Sequence, residues 1–270
     1  MLTASSRIFV LCSALSFSIV ACGGGDDDKD PEPTPPAATG GSGGGGGTPA
    51  AGNVVANCED DHNALAHDGY YKSDAEGWEI AWFTYTDNAE SAAAGKAMGT
   101  IVPAEKSAFV CIQDPADATN PSYVFNAKGS GFATWGAGMG FNLKIMAEPT
   151  PPGLADLSKF QGIKFSIKVN SAETGTVRVK MVDAQTTPVA RGGTCDSALG
   201  ACDNNFGYML TNTTPGTWVD FTIPWSDLKQ ETWSSQMFTT GPQTTAVIGF
   251  QFQVKQNTNF DYSVDNFAFY

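Results

Sequence analysis

The chain has 270 residues, enough for one large domain or two small ones. Only 16% of them are charged and 30 are glycine, which excludes long charged surface helices and coiled coils. Fifteen Lys and Arg stand against 28 Asp and Glu, a net charge of -13 that repels phosphate backbones and excludes nucleic acid as a partner.

The N-terminus reads as an address. Arg7 is the only charge before an apolar run from Ile8 to Ala21, shorter than the ~20 residues a membrane-spanning helix needs and suited to a secretory signal. The run ends in Ile19-Val20-Ala21-Cys22, which resembles the bacterial lipobox. That resemblance implies a signal peptide over residues 1–22, acylation of Cys22, and anchoring to a bilayer by several acyl chains. Gly23 after Cys22 allows an outer-membrane or cell-surface destination. Residues 23–52 hold eleven Gly, five Pro and an acidic run from Asp26 to Asp30 broken by Lys29. Such a stretch buries no core and is expected to be a disordered tether. As a flexible coil it reaches roughly 30 Å.

Cys58, Cys111, Cys195 and Cys202 remain for the exported domain. Three pairings are open, and an oxidising compartment favours two disulfides. The six residues between Cys195 and Cys202, Asp196 to Ala201, make a short polar loop that brings those sulfurs together, which leaves Cys58 for Cys111. With no Cys-x-x-Cys spacing, a metal reading of these thiols is disfavoured.

From Asn53 onward the dominant signal is period two. Ile163, Phe165 and Ile167 alternate with Lys164, Ser166 and Lys168; Val177, Val179 and Met181 with Arg178, Lys180 and Val182; Val219, Phe221 and Ile223 with Asp220, Thr222 and Pro224. Each predicts a strand with one apolar and one wet face. Further strands are expected at Glu79 to Tyr85, Ala108 to Ile112, Tyr123 to Lys128, Gly138 to Leu143, Tyr208 to Leu210, Val247 to Lys255 and Tyr262 to Tyr270. Helical spacing is confined to short stretches at Ser91 to Met98 and Ser226 to Lys229. Many strands, Gly/Pro/Asn turns and no βαβ alternation predict an all-β fold, an antiparallel β-sandwich of jelly-roll type, spanning residues 53–270 as a single domain.

Four segments then carry a family resemblance: Gly129-Ser130-Gly131-Phe132 with Trp135 to Phe141, Leu157 to Phe165, Trp218 to Leu228, and Phe260 to Phe267. Their order resembles the galactose-binding-domain-like jelly roll. Within that fold it is similar to family 11 carbohydrate-binding modules and to the complex I intermediate-associated protein fold. The resemblance covers almost all of residues 53–270 and implies that the last strand pairs near the first. Cys58, Glu59, Asp60 and Asp61 would then lie near Asp265. It further implies a structural Ca²⁺ at this junction, held by Glu59, Asp61 and Asp265, since Ca²⁺ takes six to eight hard oxygen ligands. Cys58 immediately before Glu59 departs from the family pattern.

A carbohydrate site needs aromatic faces for ring stacking and amide, carboxylate or guanidinium groups for hydroxyls on one surface. Trp82, Trp135 and Trp218 sit where core or hinge packing accounts for them, leaving Trp78, Trp225 and Trp233 as platform candidates. Arg178, Gln251, Gln253 and Lys255 project at alternating positions and are candidate hydroxyl partners. The two histidines, His62 and His67, lie near Glu59 and Asp61, but no nucleophile elbow or metalloprotease motif accompanies them. The expectation is therefore a non-catalytic, lipid-anchored glycan binder. A structural or protein-binding lipoprotein is the alternative, and a glycoside hydrolase is the third reading.

Overall fold

The computed structural model describes residues 53–56, 58, 70–73, 78–114, 122–144, 151–199, 202–234 and 237–270, and outside these lie the signal, the tether, Glu59, Asp60, Asp61, His62 and His67. The strands are β1 (Asn53–Ala56), β2 (Tyr70–Ser73), β3 (Trp78–Thr86), β4 (Thr100–Val102), β5 (Ile112–Gln113), β6 (Tyr123–Ser130) and β7 (Ala137–Asn142). They continue as β8 (Gly162–Val169), β9 (Val177–Asp183), β10 (Phe206–Leu210), β11 (Trp218–Pro224), β12 (Val247–Val254) and β13 (Phe260–Phe269). One sheet runs β11-β8-β13-β6-β4, with β1 on β13 and β5 on β6; the other runs β10-β9-β12-β7-β3-β2. Every strand pairing is antiparallel, so the described residues form the sandwich that the alternating pattern predicts.

The core lies between the sheets. Phe141, Phe250 and Phe252 of the second sheet meet Phe165, Phe267 and Phe269 of the first, all of them buried. The Phe165–Phe252 rings stand edge-on at 5.1 Å and Phe141–Phe267 at 4.9 Å. Trp82 stacks on Phe125 at 4.0 Å, in the core where the sequence puts it. Each fully buried ring of this kind contributes roughly 2–3 kcal/mol. The two ends of the described sandwich meet: Asn53 pairs with Phe269 and Val54 with Ala268, and the Cys58 N–H donates to Asp265 Oδ1 at 3.4 Å. Both disulfides form as the spacing suggests, Cys58–Cys111 and Cys195–Cys202.

Three local expectations need correction. Ala108 to Ile112 is not one strand; only Ile112–Gln113 pairs, with β6. Phe109 is buried between exposed neighbours, so its alternation is that of a single anchor plugged into the core without a ladder partner. The helical stretch at Ser91 begins earlier, as α1 (Asn88–Ala93), and the one at Ser226 is a single 3₁₀ turn, Trp225–Asp227. The polar sides of β8 and β9 are also not uniformly wet. Lys168 is 2% exposed, Arg178 5% and Lys180 7%.

Candidate functional site

The outer face of the second sheet is assembled by register. Gly207, Lys180, Gln251, Gly140 and Phe83 stand side by side across β10, β9, β12, β7 and β3. The next row is Met209, Arg178, Gln253, Gly138 and Tyr85. A third row adds Val182, Gly249, Asn142 and Ala81. Cations thus occupy one flank, aromatics the other, and amides the middle, because side chains at alternate positions share a face.

Glycine makes this face a trough. At Gly138 an added Cβ would stand 3.0 Å from the Tyr85 hydroxyl, at Gly140 2.9 Å from Gln251 Cγ, and at Gly207 2.8 Å from Arg178 Cζ. Each glycine therefore leaves room for one long polar side chain to lie flat across its neighbour strand. Phe83, Tyr85, Gln251, Gln253 and Asn142 are all half-buried.

Arg178 is locked. Its guanidinium donates to the carbonyls of Asn205 at 3.0 Å and Lys229 at 2.7 Å, and ion-pairs with Glu231 at 3.4 Å. Glu231 also holds Lys255 at 3.0 Å. Burial pushes the Glu231 carboxyl up, but the Lys255 hydrogen bond and the charges of Arg178, Lys255 and Lys180 outweigh it and keep it ionised below the usual range. Gln253 donates to the Trp135 carbonyl at 3.1 Å, and the Trp135 ring stacks on Tyr85 at 6.0 Å.

Trp135 is held in turn by Asp87, which is fully buried at the end of β3. Its Oδ2 accepts the backbone N–H groups of Thr134, Trp135 and Gly136 at 2.7, 2.8 and 2.9 Å, while Oδ1 accepts the Ser91 hydroxyl at 3.1 Å. One carboxylate thereby fixes the whole turn that carries the ring.

Lys180 is the least satisfied group on the face. Its Nζ lies 5.4 Å from the Tyr85 ring centroid, a cation–π placement. Burial lowers its ammonium to about 7, the Arg178 charge adds to this, and Asp203 and Glu231 oppose it. The buried Tyr85 hydroxyl has no hydrogen-bond partner among the described residues. Burial, then Tyr262, raises its pKa well above the ordinary phenol value, so it remains a donor.

The sequence candidates distribute unevenly. Arg178, Gln251 and Gln253 come together here, with Arg178 directly opposite Gln253. Trp233 is 60% exposed, two residues beyond the Glu231 that bonds Arg178. Trp225 belongs elsewhere: it is half-buried against Phe250 and Phe269, and its indole N–H donates to the Phe160 carbonyl at 2.7 Å. Of Trp78 the structure gives only the backbone, at the start of β3. Trp218 donates to Asp114 at 3.2 Å on the opposite sheet. The sequence did not single out Phe83, Asn142 or Lys180 for this face, offered Tyr85 only as one of several aromatic residues, and assigned Trp135 to core or hinge packing, whereas its half-buried ring stacks on Tyr85. Their signal was the Gly-x-Gly alternation of β7, whose bare face shows where neighbours can lie down.

Asp265 is buried beside Cys58 at the junction of the chain ends, and its Oδ2 accepts the Asn266 amide at 3.3 Å. Among the described residues no group of three acidic, His or Cys side chains could hold a metal. A separate cleft of about 460 Å³ is lined by Gln185, Thr194, Gln243 and neighbouring loop residues. With no aromatic ring in its lining, it offers nothing for a sugar to stack upon.

These described residues define a disulfide-braced, two-sheet antiparallel sandwich with a polar and aromatic trough on one outer face. No family model and no curated protein matches the chain. Among solved structures it is similar to a family 11 carbohydrate-binding module from Clostridium thermocellum in complex with a β-1,3-1,4-mixed-linked tetrasaccharide: 15% identity, TM-score 0.45, 70% of this chain and 87% of that one. The family 11 module of a cellulosomal cellulase of the same organism gives 14% identity, TM-score 0.43, and 70% and 86% coverage. A β-1,2-glucanase from Parabacteroides distasonis gives 10% identity and TM-score 0.39, covering 81% of this chain and 25% of that one. At these identities and TM-scores nothing said of those proteins carries over to this chain.

Proposed function

We propose that the protein is a non-catalytic glycan-binding module, exported and anchored through an acylated Cys22, that holds polysaccharide across the outer face of its second sheet. The observation that carries this reading is the register of that face. Tyr85 and Phe83 lie on one flank, Gln251, Gln253 and Asn142 in the middle and Arg178 and Lys180 on the other, over a glycine floor. Rings pack on sugar C–H faces while amides and cations bond hydroxyls. Glu231, the carboxylate tied to these cations, is ion-paired on both sides and held ionised. It is thus poorly suited to the proton donation a glycosidase requires. We further propose that Asp265, with Glu59 and Asp61, holds a Ca²⁺ that clamps the chain ends; the buried Asp265 carboxylate next to Cys58 supports it.

A glycan array probed with the intact chain tests the reading. Gln253→Ala and Tyr85→Ala are expected to weaken the strongest signals about tenfold each, the order of one lost bidentate or stacking contact. Trp225→Ala is expected to lower stability instead. The same preparations report the anchor, since Cys22→Ser should move the protein out of the membrane fraction. A blank array would favour the protein-binding alternative, and retention of Cys22→Ser in membranes would remove the anchor.

A further inference from the structure

We propose that the glycan carries carboxylates: Lys180 and the Tyr85 hydroxyl together receive the carboxylate of a uronic-acid residue, with Arg178 behind them. This rests on the glycan reading above and names its substrate class.

Three observations converge on one point of the trough. Lys180 is 7% exposed, and among the described residues its ammonium makes no hydrogen bond or ion pair. Its Nζ lies 5.4 Å from the Tyr85 ring centroid. The Tyr85 hydroxyl is itself buried and unpartnered among the described residues, and it lies over Gly138, 3.0 Å from where a Cβ would stand. A lysine 7% exposed and a buried hydroxyl with no partner among the described residues, joined by one ring, suit an acceptor with two oxygens and a negative charge.

The surrounding charge agrees. Arg178, Lys180 and Lys255 face two carboxylates, Glu231, which Arg178 and Lys255 share, and Asp203, which Arg191 holds. The neighbouring loop is neutral, because Arg191 pairs with Asp203. The trough is therefore positive on a chain whose net charge is -13. An acidic polymer repelled by the rest of the surface would be admitted there, which sharpens selection. Neutral hydroxyls would leave the ammonium only Asp203 and Glu231 as counter-charges, each already ion-paired to an arginine.

The groups that face Lys180 are Arg178 on its own strand, Tyr85 on β3, Glu231 after β11, and Asp203 and Arg191 between β9 and β10. A bound carboxylate favours the protonated amine, so affinity is expected to fall as pH rises above about 7, where free Lys180 loses its proton.

The test is an array carrying polygalacturonate, alginate and hyaluronan, each beside its carboxyl-reduced form, probed with the intact chain at pH 6 and pH 8. The expected result is at least tenfold stronger binding to an acidic member than to its reduced partner, weakening at pH 8. Lys180→Met is expected to abolish that preference with Tm unchanged or raised, since it removes the cost of burying a charge. Tyr85→Phe deletes one oxygen, keeps the ring, and is expected to weaken acidic binding about threefold; it carries the test if Lys180→Met fails to fold. Equal binding to each pair, or acidic binding indifferent to both substitutions, overturns this inference and leaves the glycan reading standing. Binding to none of the six, alongside a blank broader array, overturns both.

Discussion

Asp87 shows how much one side chain can organise. Four hydrogen bonds converge on its buried carboxylate, and three come from consecutive backbone N–H groups of the turn that carries Trp135. Burial pushes its carboxyl up, but the backbone bonds from Gly136, Thr134 and Trp135 and the Ser91 bond win, holding it below the usual range. Because the folded value is depressed, its stabilisation is present in full above the unfolded carboxyl pKa, near ~3.9, and fades as pH falls through the lower folded value. Asp87→Asn is expected to cost about 2–3 kcal/mol at pH 7, an order of 5–10 °C in Tm for a domain of this size. Melts from pH 7 to pH 2 should show wild type and variant converging at the acid end. A gap that stays constant would mean the carboxylate charge is not what holds the turn.

On the other sheet, Lys168 makes a buried ion pair with Asp114, each side chain 2% exposed, and lies 5.1 Å from the Trp218 ring centroid. Here a buried lysine has its carboxylate. The contrast with Lys180 is the reason that Lys180 invites a ligand while Lys168 does not.

Among the elements, the edges are secured by covalent and side-chain devices. Cys58–Cys111 ties the segment after β1 to the one before β5 across a separation of 53 residues, whereas Cys195–Cys202 spans 7. Loop-closure entropy grows with the logarithm of loop length, so the long bridge should stabilise by roughly 2 kcal/mol more than the short one. Chemical denaturation of Cys58→Ala/Cys111→Ala against Cys195→Ala/Cys202→Ala reads this directly. An equal or reversed order would show that strain or residual unfolded structure outweighs chain entropy. The β10 edge is partly covered as well. Gly207 exchanges two backbone bonds of 2.9 Å with Lys229, which draws Glu231 over the cations of β9.

At the scale of the whole molecule, the first and last described strands lie side by side, so both ends of the domain depend on one ladder and on Asp265 beside Cys58. β13 is bulged there: its register with β8 shifts between Asp265 and Ala268, and Asn266 takes a left-handed φ of 54°. A bulge re-aims side chains, which lets Asp265 face the chain start while Phe267 stays in the core. If Ca²⁺ binds at this junction, millimolar calcium should raise Tm, a chelator should lower it, and Asp265→Asn should make Tm insensitive to both. Identical melts of wild type with and without calcium would remove the metal from the description.

Strand positions such as Ile163 to Ile167 and Val219 to Ile223, the antiparallel class and the pairing of Cys195 with Cys202 were legible in the chain itself. Alternation of apolar residues and short-range loop closure are local properties that a linear sequence records. The trough was not legible beyond Arg178, Gln251 and Gln253. Its first two rows take one residue from each of five strands, brought together by a register that only the assembled sheet defines. Burial of Lys180 and Arg178 on a face that alternation marks as wet was likewise decided by tertiary structure. Gly207 on β10, distant in sequence, left the space in which Arg178 lies flat.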